Sequence, residues 1–527
     1  MSIDTKTIGR ERGVGRGRWL ALAALVLCAL VFGLDTTILV TALPTLSAKL
    51  GATTDQLQWM STAYTLALAG LMLPAAVLAD RYGRRLLLIL GLLIFGAGSV
   101  IASQLTSANG LIFMRALMGA GGAVILPLTL AILPTIFAEN ERRRALGLAG
   151  AGAFLGLPLG PLVAGYLLTH YEWGSIFLIN APVVVLALLG VGFFIPESKD
   201  PETHPLDFIG ALLEVVGVVA MVYGIIQEPL KGWTDPQVIV PLAGGAVLIA
   251  AFVAWELRKR WPLVDMRLFL NPRFSWATVA FTIIGFGLTG ALFILTPYLQ
   301  VVQGNDAQGT GIRLLPMIGA VFVGALASDR LTARLGTKVM VAGGLLIAAA
   351  GLALLSRAGG ETGYGLIAAS LAVSGLGIAL AMIPALDAIM TALPLAQMGA
   401  GNALTRTLQN VGASFGVAIM GSILNGAYRA SLSGHLAGLP GQVQDAALSS
   451  VAVAAGVAHH LPAPLAALLL RAADDAYATG MAEVLLVSAG LLVAIAVLIA
   501  LFMPNRRAVA ESEAEAPGDR ASSEAVA

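Results

Sequence analysis

The sequence predicts an all-α integral membrane protein that crosses the bilayer many times, and three observations carry that expectation. Of 527 residues, 58% are hydrophobic and 12% charged, about half the charged share of soluble globular domains. Apolar runs of about twenty residues, the length that spans a hydrocarbon core, follow one another from Trp19 to Met503 with no polar domain between them. Lys and Arg gather in alternate connections, as the positive-inside bias of membrane helices requires. The mean hydropathy of +0.87 agrees.

Taken in order against the spanning length, the runs are 19–42, 57–79, 84–104, 109–134, 145–168, 173–195, 207–228, 236–258, 274–300, 309–328, 338–356, 363–391, 400–425 and 481–503. Runs this long without two-residue alternation are helices rather than barrel strands, since only those two structures satisfy backbone hydrogen bonds in lipid. Residues 1–18 form a basic tail carrying Lys6, Arg10, Arg12, Arg16 and Arg18. The apolar run after that tail passes through Asp35 to Pro44 without a small-x-small cleavage pattern, so it reads as an uncleaved first helix rather than a signal peptide. With the N-terminus inside, 23 of the 31 basic residues fall on the cytoplasmic side and 5 on the outer side. That bias predicts both termini in the cytoplasm. Residues 427–480 read as an Ala-rich external loop, an amphipathic hairpin resting on the membrane or capping the outer mouth. Residues 504–527 read as a disordered cytoplasmic tail.

Several chemistries are excluded at this level. The net charge of +1 gives no field for nucleic acid. Cys28 is the only cysteine, so no intrachain disulfide can form. His435, His459 and His460 match no metal-ligand spacing, and no Gly-Lys pair exists for a phosphate-binding Walker loop. No HExxH, His-x4-Asp or acidic catalytic cluster appears, so the sequence predicts neither a catalytic nor a metal site. A transporter of this composition needs an ion gradient rather than a cofactor.

Ionisable residues at bilayer depth cost about 2.5–3.5 kcal/mol on insertion scales, so each needs a reason. The candidates are Asp35, Arg115, Glu214, Asp387 and Arg406. Asp35 lies about two-thirds along the first span, where desolvation suits an acid that gains and loses a proton. The alternative for Asp35-Thr36-Thr37 is a helix-stabilising cluster. Arg115 stays charged and would tune a nearby acid, or else pair statically with backbone carbonyls. Asp387 stands near the cytoplasmic end of its span, where a snorkelling charge is the alternative. Glu214, in the seventh run, reads as pairing with a neighbouring span or lining a crevice. Arg406, Gln409 and Asn410 share one helix face, which must border protein or water. Gly152, Gly156, Gly160 and Ala164 form an every-fourth stripe of small residues, broken by Pro158 and Pro161, suited to close helix approach or to a seam that limits leak. Trp59 and Tyr64 offer aromatic surface for a substrate pocket.

Five passages resemble a known superfamily. Ala76-Val77-Leu78-Ala79-Asp80-Arg81-Tyr82-Gly83-Arg84-Arg85 is similar to the signature loop of the major facilitator superfamily, and Asp329 to Lys338 is a degenerate copy that implies an internal repeat. Arg115 to Gly119 resembles its buried-arginine motif, with Met118 where glutamine is usual. Gly156-Leu157-Pro158-Leu159-Gly160-Pro161-Leu162-Val163-Ala164-Gly165 resembles the antiporter motif of its exporters. Leu34 to Pro44 is similar to the first-helix motif of the fourteen-span drug:proton antiporter family, and Gln58-Trp59, Tyr64, Trp173 and Phe177 to Pro182 extend the likeness. Ala76 and Gly174 depart from the pattern.

The resemblance implies a six-helix half over 19–195, two inserted helices over 207–258 and a second six-helix half over 274–503, pseudo-symmetric with the first. It implies proton-coupled export of lipophilic or cationic drug-like molecules from bacteria, across the cytoplasmic membrane. In that reading Asp35 and Arg115 couple the proton, while Trp59, Tyr64, Arg406, Asn410 and Asp387 line the substrate cavity. Asp80, Arg81, Gly83 and Arg84 gate the conformational change, and Gly156, Gly160, Pro161 and Gly165 form the antiporter seam. The positive charge of Arg406 disfavours dications. The expected partners are a small-molecule substrate and the lipid bilayer, with the protein acting as a monomer. An exporter of one endogenous metabolite, lipid or siderophore, or an uptake symporter, are the alternatives.

Overall fold

The computed structural model describes residues 5–137, 139–199, 207–260, 262–392, 398–436 and 439–504, so the tail beyond Pro504 and the first four residues lie outside the described residues. The first half contains α1 (Thr5–Leu50), α2 (Thr54–Tyr82), α3 (Arg84–Ala102), α4 (Ala108–Ile136), α5 (Glu139–His170), the short α6 (Ser175–Leu178) and α7 (Asn180–Phe194). A hairpin follows, α8 (Phe208–Lys231) and α9 (Pro236–Glu256). The second half comprises α10 (Pro272–Pro297), α11 (Ala307–Arg313), α12 (Leu315–Leu335), α13 (Thr337–Leu355), α14 (Tyr364–Thr391), α15 (Met398–Ser433), α16 (Gly441–Ser449), α17 (Val451–Ala458) and α18 (Ala463–Phe502). Among the described residues thirteen helices are long and apolar enough to cross a membrane. α5 occupies the position of the remaining predicted span.

The predicted repeat is visible in the geometry. Shifted by 253 residues, Arg84–Ala102 becomes Thr337–Leu355, and Thr54–Tyr82 becomes Ala307–Leu335. The close helix contacts repeat with them. A Cβ added at Gly91 of α3 would stand 2.9 Å from the carbonyl oxygen of Gly121 on α4, and one added at Gly344 of α13 would stand 2.8 Å from that of Gly377 on α14. Glycine lets the backbones of each pair touch, which stabilises helix packing where lipid supplies no hydrophobic drive.

Two expectations are corrected at the ends of the spans. The basic segment predicted as a tail is continuous with α1, which runs back to Thr5. The predicted loop 427–480 is largely helical: α15 continues to Ser433, α18 begins at Ala463, and only α16, α17 and their connections lie between. Alanine-rich sequence has the highest helix propensity and carries both helices past the apolar core. The interruptions by Arg471, Asp474 and Asp475 hid this from a hydropathy count.

The halves meet along two seams. α2 lies against α15, where Gln58 Nε2 donates to the carbonyls of Val417 and Ala418 at 3.2 and 3.0 Å, Thr65 Oγ1 lies 2.6 Å from Ser414 Oγ, and Thr407 Oγ1 donates to the Ala69 carbonyl at 3.3 Å. α5 meets α11, where added Cβ atoms at Gly165 and Gly311 would stand 2.6 Å from Gln308 Cα and from the Pro161 carbonyl oxygen. Both seams belong to the end of the bundle that holds the α1–α2 connection. α16 and α17 cover that end: Ser450 Oγ lies 2.8 Å from Ser47 Oγ of α1, and Thr54 Oγ1 donates to the Ser449 carbonyl at 2.8 Å. Among the described residues α4 packs on α1, α2, α3 and α5, and α14 on α10, α12, α13 and α15.

Candidate functional site

In the first half, five polar side chains from five helices converge in an apolar interior. Asp35 of α1 is fully buried, and its Oδ2 accepts from Arg115 Nη1 of α4 at 2.7 Å. Arg115 is 1% exposed, and its Nε donates to the Met60 carbonyl of α2 at 3.3 Å. The Tyr64 ring lies under the guanidinium, 4.1 Å from its centroid, a cation–π contact worth about 2 kcal/mol when desolvated. Asn180, at the start of α7, donates from Nδ2 to Asp35 Oδ1 at 3.2 Å and to Ser99 Oγ of α3 at 3.1 Å. Ser99 in turn donates to the Phe177 carbonyl at 2.8 Å.

The local sequence explains how these groups meet. Gly119 brings α4 against α2, since a Cβ there would stand 2.4 Å from the Tyr64 carbonyl oxygen. Gly156 and Gly160 of α5 do the same for α1: added Cβ atoms would fall 2.6 Å from the Leu30 carbonyl oxygen and 2.0 Å from Thr37 Oγ1. The antiporter motif thus splits in two. Gly156 and Gly160 seat the helix that carries Asp35, while Pro161 and Gly165 form the seam with α11. Gly152 and Pro158 lie among residues whose side chains are outside the described set. Thr36 Oγ1 donates to the Phe32 carbonyl at 2.8 Å, so the helix-stabilising reading holds for that threonine, whereas Asp35 itself is an ion-pair partner.

A buried ion pair is not by itself a stabilising device, because desolvating two charges offsets most of their attraction. Its retention in a membrane interior points to use. Asp35 has an acceptor oxygen on each side, one held by a permanent cation and one by a neutral amide. Arg115 is held in turn by the Met60 carbonyl and by the Tyr64 ring.

The five residues expected at a substrate cavity are not brought together. Trp59 packs instead with Tyr223 of α8, ring centroids 6.3 Å apart, in a cluster with Leu66, Val218, Val222 and Ala418. Tyr64 is 1% exposed and belongs to the ion-pair site. Arg406 donates from Nη1 to Gln409 Oε1 at 3.0 Å and lies 5.6 Å from the Phe281 ring of α10. Asn410 is half-buried one turn away, its carbonyl accepting from Ser414 Oγ at 2.9 Å, and Asp387 is exposed on α14. Helical spacing fixes which residues share a face, but the rotation of each helix about its axis is set by its neighbours. Here α8 covers the face of α2 that carries Trp59. Glu214, also on α8, lies on the face that α9 covers.

The signature loop is locked within its own half. Gly83 adopts φ 127°, a conformation open to glycine, and a Cβ there would meet the Glu197 carboxylate at 2.6 Å. Asp80 Oδ1 accepts from Arg84 Nε at 2.9 Å, and Arg81 stacks on Tyr82 with 5.6 Å to the ring centroid. Glu197, which sequence reading passed over, accepts from the backbone N–H of Arg85 at 3.0 Å and of Leu86 at 3.2 Å. Arg85 Nη2 donates to the Gly192 carbonyl. Glu197 therefore caps the start of α3 from a distant segment, satisfying N–H groups that have no partner within the helix. We predict that Glu197→Ala costs about 1 kcal/mol, the usual value of a helix cap. An unchanged thermal midpoint in purified protein would sink that account.

Ser99 and Asn180 were also missed. Serine and asparagine are cheap in a helix and carry no charge, so nothing in their local sequence distinguishes them. Their role follows from convergence alone.

The fold and this buried site define a polytopic membrane transporter, not an enzyme. The chain belongs to the Major Facilitator Superfamily, whose profile matches residues 25–417. It is 33% identical over 501 residues to the methyl viologen resistance protein SmvA of Salmonella typhimurium, covering 93% of this chain and 99% of that protein. It is 31% identical to the multidrug efflux pump LfrA of Mycolicibacterium smegmatis, covering 91% and 95%. To the tetracenomycin C resistance and export protein of Streptomyces glaucescens it is 30% identical, covering 97% and 98%. Among solved structures, the inward-facing, unoccupied form of a bacterial homolog of the human lysosomal transporter Spinster matches with a TM-score of 0.67 at 16% identity, over 92% of this chain and 98% of that one. The nucleoside transporter NupG matches at 0.57 and 14% identity, over 92% and 100%. These structures share the fold.

Proposed function

We propose that this protein exports lipophilic or cationic drug-like molecules across the bacterial cytoplasmic membrane in exchange for protons, acting as a monomer. The observation that carries the reading is the Asp35–Arg115 pair, an acid and a permanent cation held 2.7 Å apart with almost no exposure. The relatives named for drug resistance and export support the substrate class. The excess of Lys and Arg in alternate connections supports cytoplasmic termini. On that orientation the seams of α2 with α15 and α5 with α11 lie toward the outer side, and we read the inner side as the one open to substrate.

The cycle follows from those parts. Substrate enters between the halves from the inner side, and the halves rock so that the outer side parts. A proton from outside neutralises Asp35 and releases Arg115 to the Met60 carbonyl and the Tyr64 ring. Return to the inward-open state and loss of the proton to the cytoplasm re-form the ion pair. No cofactor enters, because the proton gradient supplies the driving force. The test is efflux of two monocations, ethidium and rhodamine 6G, from loaded cells with and without a protonophore. Efflux that stops with the protonophore is the expected result. Undiminished efflux with a collapsed gradient would remove proton coupling, and export of neither cation would remove the substrate class.

A further inference from the structure

The buried guanidinium of the first half has a counterpart in the second half that lacks an acid. Arg115 rests on the Tyr64 ring and closes on Asp35. Arg406 of α15 likewise lies 5.6 Å from the centroid of an aromatic ring, that of Phe281, and donates from Nη1 to Gln409 Oε1 at 3.0 Å. No carboxylate reaches it: the ion pairs among the described residues are Arg18–Glu141, Arg84–Asp80, Arg115–Asp35 and Lys259–Asp207. Its Nε has no hydrogen-bond partner, and Gln409 Oε1 is the one acceptor that the guanidinium meets among the described residues.

The depth and direction of Arg406 follow from its neighbours on α15. Thr407, the next residue, donates to the Ala69 carbonyl, near the middle of α2. The charge therefore stands at mid-depth of the bundle, where an uncompensated cation is most expensive. Thr407 and Ser414 turn one edge of α15 to α2. Another edge meets α10, since a Cβ added at Gly285 would stand 2.6 Å from the Gln409 carbonyl oxygen and one added at Gly416 would strike the Phe286 backbone. Phe415 and Ser422 turn a third edge to α8. Helical spacing sets Arg406 and Asn410 on the side that remains, between α2 of the first half and α10 of the second. Further along that side Ala413 and Val417 are buried, whereas Arg406 and Asn410 are half-buried and keep accessible surface. The Asn410 side-chain amide has no protein partner among the described residues. A reachable charge kept at this depth without an internal partner points to a partner that comes and goes.

We propose that Arg406, with the Asn410 amide one turn on, binds the carboxylate of a transported molecule whose remainder is apolar. A guanidinium presents its N–H groups in a planar fork that matches a carboxylate, and such charge-assisted bonds are roughly twice as strong as neutral ones. Asn410 adds a neutral donor. The ligand thereby supplies in the second half the acid that Asp35 supplies in the first. The proposal rests on the export function above and favours, among its substrates, lipophiles that carry a carboxylate, with cationic ring systems admitted as zwitterions.

The experiment uses the full chain in lipid nanodiscs and two dyes that differ at one group, rhodamine 19, which has a free carboxylate, and rhodamine 6G, its ethyl ester. Fluorescence polarisation, corrected with empty nanodiscs, gives both affinities without a gradient. The parent should bind rhodamine 19 about tenfold or more tightly than rhodamine 6G, the yield of one charged hydrogen bond. Arg406→Gln should weaken rhodamine 19 by about the same factor and tighten rhodamine 6G, whose positive charge then meets no like charge. Arg406→Lys, which keeps the charge and loses the fork, should fall between them. Arg406→Gln should also leave the thermal midpoint unchanged or higher, because the charge it removes has no partner. A marked fall in that midpoint would reveal a protein partner and overturn the assignment. An equal ratio of the two affinities in the parent and in Arg406→Gln would overturn it as well. A parent that binds rhodamine 6G with no preference for rhodamine 19 sinks the carboxylate site and leaves the export function standing, whereas a parent that binds neither dye removes both.

Discussion

Asp35→Asn should abolish gradient-driven efflux while Asp35→Glu retains part of it. The asparagine preserves shape and hydrogen bonding to Asn180 but cannot exchange a proton. It also leaves Arg115 buried without its counter-ion, and removing one partner of a buried pair typically costs about 3–5 kcal/mol. A loss of transport by the single variant could thus reflect either coupling or stability. The double variant Asp35→Asn with Arg115→Gln separates them. Removing both charges takes away the desolvation penalty along with the attraction, so the double variant should recover most of the thermal stability lost by the single one. Coupling should stay absent in both. The measurement is a double-mutant cycle on thermal midpoints, set beside protonophore-sensitive ethidium efflux. Gradient-driven efflux in the stable double variant would show that the pair is structural.

Gly311→Val should displace the protein from the conformation in which α5 and α11 are in contact. A Cβ at Gly311 would stand 2.6 Å from the Pro161 carbonyl oxygen and 3.0 Å from its carbon. Both are backbone atoms of α5 and cannot move aside as a side chain would. The conflict exists only while α5 and α11 are in contact, so the conformer in which this seam is parted escapes it. The variant should fold, since α11 meets α5 across the two halves rather than within one. A population shift from mostly closed to mostly open requires a few kcal/mol, and a clash of this kind supplies it. Spin labels placed on Tyr166 and Ile312, both exposed near the seam, should report a longer separation in the variant than in the parent, with transport lost. An unchanged distance distribution would mean that the seam does not gate. Gly165→Val, with its Cβ 2.6 Å from Gln308 Cα, should act the same way from the other side.

How much of this was legible in the sequence depends on the physical signal each residue carries. Asp35 and Arg115 stood out because a charge in lipid is expensive and must have a partner, but nothing in the chain said that each was the other's partner, 80 residues apart. The small stripe in α5 was legible as close packing, yet its neighbour was not: Gly156 and Gly160 meet α1, while Pro161 and Gly165, one position on, meet α11. Trp59 was read as pocket surface and packs on α8, since an aromatic residue looks alike toward substrate, lipid or protein.

The sequence by itself determined that the chain is an all-helical membrane protein with many spanning helices, and that its two halves repeat. Those properties follow from hydrophobic run length and charge, and both are additive along the chain. Only the tertiary structure decided which helices touch, which polar groups converge, that Ser99, Asn180 and Glu197 have partners, and that α16 and α17 cover one end. Those depend on how each helix is rotated and tilted against its neighbours, a property of the whole packing that no single segment encodes.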